Sequence, residues 1–378
     1  MGNSRELRGL AIAERPNQII RLSDTHYRVA SQTADGMYDV SKSRGKYWIC
    51  TCPDYYHREV KCKHIWAVEF SVKLRAVVQP TVIEPIHVEV CLYCKSPEIV
   101  KDGQRHNKYG DIQKWNCHSC GRYFTVNLGF ERMKHNPQAI TSAMQLYFSG
   151  ESLRNTQKSL RLLGVQVCHR TIYNWIQKYT ALMEKYLDKI TPQVSDTWRA
   201  DEIFLKVKGD MKYLYALMDD ETRFWIAQQV ADTKFTADIS PLFREGKKFA
   251  GKAPYRVITD GAFNFHSAIE AAYPRETKAL AITHERHVRF QGDLNNNRME
   301  RLNGEIRDRE KVMRSLKKAD SPILTGYQIY HNFVRSHMAL QGQTPAEAAG
   351  ISVKGQDKWL TLIQNASRKN GSAPQETK

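Results

Sequence analysis

The chain has 378 residues, with 57 Lys and Arg against 40 Asp and Glu, a formal net charge of +17 at pH 7 and a sequence pI near 9.4. That length suffices for roughly two to four domains, and a hydrophobic share of 41% with a mean hydropathy of -0.57 excludes an integral membrane protein and wholesale disorder. Positive charge on this scale attracts polyanions, chiefly nucleic acid, because each neutralised phosphate releases condensed counterions.

Residues 1–17 alternate charged and apolar side chains and lack the apolar stretch of an export signal, so an intracellular chain with reduced thiols is expected. Seven of the eight cysteines then fall into two groups with metal-ligand spacing. In the first, Cys50-Thr-Cys52 is followed after nine residues by Cys62-Lys-His64, three sulfurs and an imidazole that suit tetrahedral zinc. Residues 27–29 and 38–40 alternate like hairpin strands around Asp35-Gly36, and residues 63–68 read as a helix bearing His64. This arrangement, assigned to residues 1–78, resembles the SWIM zinc finger, which implies a recognition role toward DNA or protein. His57 lies in the polar loop and is read as solvated.

The second group, Cys91-Leu-Tyr-Cys94 and Cys117-His-Ser-Cys120, places two CxxC knuckles 22 residues apart. Four thiolates at this spacing hold zinc, which supplies folding energy that a short segment cannot obtain from its core. Strand-like runs at 112–115 and 123–126, punctuated by Gly103, Gly110 and Gly121, predict a zinc ribbon over 86–128. Cys168 is left without a partner and is read as a buried or capping thiol.

Residues 135–190 turn helical. Ser152 is placed to cap a helix running through Leu153, Leu160 and Leu163 to Gly164. A second helix starts near His169 or Arg170, with Ile172, Trp175, Ile176 and Tyr179 on one apolar stripe. Arg170, Tyr173, Asn174, Gln177 and Lys178 remain outside that stripe. Such residues bond phosphates and base edges, so a DNA-binding helix-turn-helix is expected, although a plain helical hairpin with a solvated face has the same pattern.

From residue 195 the texture changes. Strands are expected at 197–207, 213–218 and 224–230, with a turn at Gly209-Asp210, followed by a helix at 236–249 and a buried strand at 255–259. This order fits a mixed sheet with helices packed on it, as in a ribonuclease H-like fold. Asp201 interrupts the first strand, and Asp260 ends a strand where α/β sheets keep their chemistry. Further on come Asn295-Asn-Asn-Arg-Met-Glu300-Arg-Leu-Asn-Gly-Glu305, His331-Asn-Phe-Val-Arg-Ser-His337 and Gln343-Thr-Pro-Ala-Glu-Ala-Ala-Gly350.

In these linked motifs, over about 196–351, the chain resembles the DDE transposases of prokaryotic insertion sequences. The resemblance implies that Asp201, Asp260 and Glu300 are the catalytic carboxylates. They would hold two Mg2+ ions, with Mn2+ as a substitute, for phosphoryl transfer between DNA strands. On a helix, Met299, Leu302 and Ile306 share the apolar stripe, while Glu300 and Glu305 flank it on opposite sides. The family pattern selects Glu300 and leaves Glu305 as the alternative. Glu202, Asp219 and Asp220 are read as supporting or surface acids, and Asn296, Arg298, Arg301 and Arg307 as contacts to DNA phosphates.

The fold class is thus multidomain α+β and α/β: two zinc modules, a helix-turn-helix, a ribonuclease H-like catalytic domain at 195–351, and a polar tail at 352–378. The expected function is cleavage and strand transfer of a mobile element. The partners are double-stranded DNA, as element ends and target, and a second copy of the chain, at the nucleoid in a prokaryotic cytoplasm. The alternative is a non-catalytic zinc-dependent DNA-binding regulator derived from such an enzyme.

Overall fold

The computed structural model describes residues 4–368 except 16–17, 24, 44–46, 78–79, 87, 92, 108–109, 126–127, 131–132, 261, 279–281, 287–296, 314–315, 317 and 319–320. The chain divides into two compact units. Unit 1 comprises Met1–Pro80, Pro192–Phe204 and Lys212–Asn303, and unit 2 comprises Thr81–Thr191, Leu205–Met211 and Gly304–Lys378.

Unit 1 begins with helix α1 (Ser4–Ala13) and an antiparallel meander of β1 (Ile19–Ser23), β2 (His26–Ala30), β3 (Met37–Ser43) and β4 (Tyr47–Cys50), followed by α2 (Pro53–Arg58) and α3 (Lys63–Val77). Alternation along β2 buries Tyr27 and Val29, which join Val40, Ile65 and Val68 in a small core beside the first cysteine group. Helix α1 seats against α3 at Gly9, where a Cβ would stand 2.4 Å from Trp66 Cβ and 2.9 Å from the Lys63 carbonyl oxygen. The expected hairpin is present; α1, β1 and β4 complete it.

Unit 2 opens with β5 (Thr81–Ile83) and an antiparallel ribbon of β6 (Ile99–Asn107), β7 (Gly110–Cys117) and β8 (Tyr123–Thr125). Helices α4 (Pro137–Phe148), α5 (Leu153–Leu162) and α6 (His169–Leu187) follow. Asn136 caps α4 by accepting from the Ala139 N–H at 2.8 Å, and Ser152 caps α5 by accepting from the Asn155 N–H at 3.1 Å. Gly164 supplies the positive φ, +80°, that turns the chain out of α5. Ile172, Trp175, Ile176 and Tyr179 are all buried, as the helical spacing requires.

The sheet that follows contains β9 (Thr197–Val207), β10 (Asp210–Asp219), β11 (Trp225–Ala231), β12 (Arg256–Thr259) and β13 (Thr283–Arg286) in the order β11-β10-β9-β12-β13. Helix α7 (Thr236–Ala250) precedes β12, and α8 (Phe263–Ala272) and α9 (Pro274–Lys278) precede β13. Strands β10 and β11 are antiparallel, whereas β12 runs parallel to both β9 and β13. Lys208 and Gly209, at φ of 55° and 99°, form the two-residue turn between β9 and β10. Three strands in hairpin order, then a helix crossing to a parallel strand on the far side of the first, make the ribonuclease H-like order. The chain is a mixed α+β protein of this fold with two small cysteine-bearing modules.

Beyond the sheet lie α10 (Asn297–Met313), α11 (Pro322–Ile329), which runs into a π-helical turn at Tyr330–Val334, then α12 (Pro345–Ala348), β14 (Ile351–Val353) and α13 (Lys358–Ser367). Two corrections follow. The polar tail expected from 352 is folded as far as 367: β14 pairs in parallel with β5, and α13 buries Trp359, Leu362 and Ile363 against α4 and α6. Those three apolar residues stand at i, i+3 and i+4, a helical stripe between polar neighbours. Residues 369–378 lie outside the described residues. The segment 195–351 is also not a single unit, because α11 packs on α6 and the chain after Asn303 groups with unit 2.

Candidate active site and metal centres

Asp201 is the fifth residue of β9, and Asp260 directly follows β12. The parallel register pairs Arg256 with Thr197 and Ile258 with Arg199, so two further residues bring 260 level with 201. Carboxylate oxygens of Asp201, Glu202 and Asp260 lie within 4.8 Å of one another. Asp201 is only 8% exposed and Asp260 is exposed. The Glu202 N–H donates to Asp201 Oδ1 at 2.9 Å, and Asn303 Nδ2 donates to Oδ2 at 2.7 Å. Burial, with the Asp260 charge adding to it, nevertheless pushes Asp201 up to about 7. Carboxylates crowded at a sheet end suit a hard divalent cation, which takes oxygen ligands and removes the repulsion.

Helix α10 reaches this cluster through Asn303. Glu300 is three residues earlier, on the same flank of the helix, and is exposed. Its carboxylate is not part of the three-acid group. Glu305 is committed elsewhere, to an ion pair with Arg335. Asn295 and Asn296 of the quoted motifs lie outside the described residues.

The remaining acids have distinct surroundings. Glu202, read from sequence as supporting or surface, stands within the cluster and pairs with Lys234. Asp219 is fully buried: Oδ1 accepts from the Ser195 N–H at 2.8 Å and hydroxyl at 2.6 Å, and Oδ2 from the Thr222 N–H at 2.8 Å and hydroxyl at 2.6 Å. Asp220 binds Arg199 and Arg298. Arg298, expected at DNA phosphates, is part-exposed and its Nη1 donates to Asp220 Oδ1 at 2.7 Å. Arg301 and Arg307 are exposed on α10. Asn303 and Lys234 were absent from the sequence reading, though the i+3 spacing of Asn303 from Glu300 was a usable signal.

Both cysteine groups assemble. Cys91 and Cys120 Sγ are 3.7 Å apart, and Cys94 and Cys117 Sγ are 3.5 Å apart. Four sulfurs about 2.3 Å from a tetrahedral zinc stand about 3.8 Å from each other, so the site fits the ion. In the other group His64 Nδ1 lies 3.9 Å from Cys50 Sγ and 4.0 Å from Cys62 Sγ, with Cys52 alongside and all four residues buried. Hydrogen bonding from Cys50 outweighs burial and lowers Cys62, while the same contact, with burial, raises Cys50. His57 is exposed and outside this group, and so is His118 outside the ribbon's four cysteines. Cys168 takes the N-cap position of α6 and is exposed rather than buried, 3.2 Å from Thr171 Oγ1.

On α6, Arg170, Asn174 and Lys178 are exposed, and Tyr173 is half-buried with the Arg170 guanidinium 5.3 Å from its ring centre. Gln177 is a correction, since its Nε2 is buried without an acceptor rather than presented outward.

The sheet order is ribonuclease H-like, and its acids Asp201 and Asp260 stand together at one end of the sheet. A family described as a DDE domain matches residues 195–337. The chain is similar to the transposase for insertion sequence-like element IS431mec of Staphylococcus aureus, 27% identical over 228 residues, covering 59% of this chain and 97% of that protein. It is similar to the same degree and extent to the transposase for insertion sequence element IS257 in transposon Tn4003 of Staphylococcus aureus. Among solved structures, the HTLV-2 integrase catalytic core domain in complex with magnesium aligns at 16% identity and a TM-score of 0.32, over 42% of this chain and 98% of that one, a likeness too slight to support an argument. Residues 195–337 thus match a DDE domain.

Proposed function

We propose that this chain cuts DNA strands at the ends of a mobile element and joins the 3' ends to target DNA. The observation that carries this reading is the convergence of Asp201 and Asp260 at one end of the sheet, with α10 bonding Asp201 through Asn303 and bearing Glu300 one turn earlier. Asp201, Asp260 and Glu300 would hold two magnesium ions, or manganese in their place. Such ions, when bound, offset the charge developing on the phosphoryl group and acidify the attacking water or 3'-hydroxyl.

The protein's own part is positional. Asn303 and the Glu202 N–H fix both oxygens of Asp201, and the Lys234 ammonium answers the Glu202 charge beside it. Zinc on Cys50, Cys52, Cys62 and His64, and on Cys91, Cys94, Cys117 and Cys120, would hold the two front modules folded. The exposed side of α6, with Arg170, Tyr173, Asn174 and Lys178, would bind the element ends, and Arg301 and Arg307 the DNA backbone. Joining two ends calls for at least a dimer, acting on DNA in a prokaryotic cytoplasm. Purified protein with labelled DNA from the flanks of its gene should release a 3'-hydroxyl strand end in magnesium, and Asp260→Ala should release none. Equal nicking by Asp260→Ala would overturn the assignment.

A further inference from the structure

Unit 2 contains a pocket of about 730 Å³ where the first turn of α5, the start of α6 and the later part of α10 meet. Its walls include Ser152 and Arg154 from α5, His169 and Tyr173 from α6, and Arg309 and Lys311 from α10; no acidic residue is among the described lining residues.

Arg309 sets the chemistry. It is 3% exposed, its Nη1 donates to the Glu151 carbonyl at 2.9 Å, and its guanidinium lies 3.9 Å from the centre of the Tyr147 ring. Its Nε and Nη2 are buried with no acceptor in good geometry, the Tyr147 phenol is a polar neighbour of its charge, and no carboxylate forms an ion pair with it among the described residues. Arginine cannot shed its proton in a protein, so the charge persists. A buried cation without a counter-charge is costly, and an anion in the pocket would remove that cost.

Two helix starts add to the same field. In α5 the Ser152 cap satisfies the Asn155 N–H and leaves the Leu153 and Arg154 N–H groups ahead of it without a partner in the helix. Helix α6 has no side-chain cap. Positive helix ends, a fixed guanidinium and two further cations are the elements of a phosphate site. The pocket adjoins the exposed side of α6, which indicates a phosphate carried on DNA.

We propose that this pocket binds a backbone phosphate of the element-end DNA, with Arg309 as its main partner. The proposal rests on the function proposed above and adds a specific contact to it. The test uses the full-length, zinc-loaded chain and a duplex of roughly 40 base pairs from the gene's flank, without magnesium, over roughly 50 to 300 mM salt. Arg309→Met should weaken binding about tenfold and reduce the slope of log affinity against log salt by about 0.9, the signature of one lost phosphate contact. Arg309→Lys keeps the charge and should retain the slope. Arg154→Ala, at an exposed position, should lower affinity with no change in melting temperature.

If Arg309→Met lowers the melting temperature while the folded protein keeps wild-type slope and affinity, and Arg154→Ala changes nothing, Arg309 is a packing cation and the proposal is wrong. If inorganic phosphate raises the melting temperature of wild type but not of Arg309→Met, with the DNA slope unaltered, the pocket takes a free anion and the DNA assignment is overturned. No DNA binding by wild type at low salt would instead remove the proposed function itself, and this contact with it.

Discussion

Replacing Asp201 by Asn should make the magnesium-free protein more stable at neutral and higher pH while abolishing its catalysis. In that state Asp201 titrates near 7 instead of 3.8, because it is buried and stands beside Asp260. Between about pH 4 and 7 the folded protein therefore keeps a proton that the unfolded chain has released, so stability falls as pH rises through this range and stays lowered above it. A rise from 3.8 to about 7 corresponds to about 4 kcal/mol as an upper limit. Asn carries one acceptor oxygen where Asp carries two, so either the Asn303 or the Glu202 bond is lost, at about 1 kcal/mol. The net gain is up to about 3 kcal/mol, or roughly 5 to 10 °C in melting temperature for a unit of this size. Calorimetry in magnesium-free buffer, with zinc retained, should show the two proteins nearly matched at about pH 4 and Asp201→Asn melting higher at about pH 8. Added magnesium should raise the wild-type melting temperature and leave Asp201→Asn unmoved. An Asn variant that melts lower than wild type at pH 8 in the absence of magnesium would refute the reasoning, because it would mean that the carboxylate is structurally satisfied without a metal.

Other substitutions separate structural acids and ligands from catalytic ones. Asp219→Ala strands the Ser195 and Thr222 donors and should cost about 3 to 5 kcal/mol, read as a large fall in melting temperature. Glu300→Gln should lose DNA cleavage and keep its melting temperature, whereas Glu305→Gln, which frees Arg335, should lose stability first; the reverse pattern would transfer the third carboxylate to Glu305. Cys117→Ser should reduce bound zinc from two ions to one per chain by elemental analysis and unfold the ribbon around β7, and unchanged zinc content would contradict the four-cysteine site.

Much of this architecture was legible because its signals are local. Two CxxC knuckles, or a CxC followed by a CxH, define a metal site by spacing alone, and Ile172, Trp175, Ile176 and Tyr179 define a buried face by periodicity. The strand order around Asp201 and Asp260 could be read from alternation and turns. What escaped depends on tertiary partners. Glu202 looked like a turn-side acid because strand alternation places it opposite Asp201, yet its carboxylate joins the cluster with Lys234 as counter-ion. The ion pair of Arg298 with Asp220 joins residues 78 apart in the chain, beyond the reach of any local pattern. The helix holding Trp359, Leu362 and Ile363 was concealed by its shortness and its polar neighbours; its stability comes from α4 and α6, through the Trp359 Nε1 bond to Gln145 at 2.9 Å and the stacking of Trp359 on Phe148. Arg309 gave no sign in sequence of being buried, since an arginine in a charge-rich helix reads as a solvated residue.

Asp201 and Asp260 are proposed to form a strand-transfer site. This is tested most directly by incubating labelled element-end DNA and an unlabelled target with wild type and with Asp260→Asn in magnesium, and separating the products on a denaturing gel. Joined molecules longer than the labelled strand are expected from wild type and none from Asp260→Asn, with both proteins binding the DNA equally. Joined products of equal yield from both, or binding without cleavage or joining by wild type in either magnesium or manganese, would contradict it.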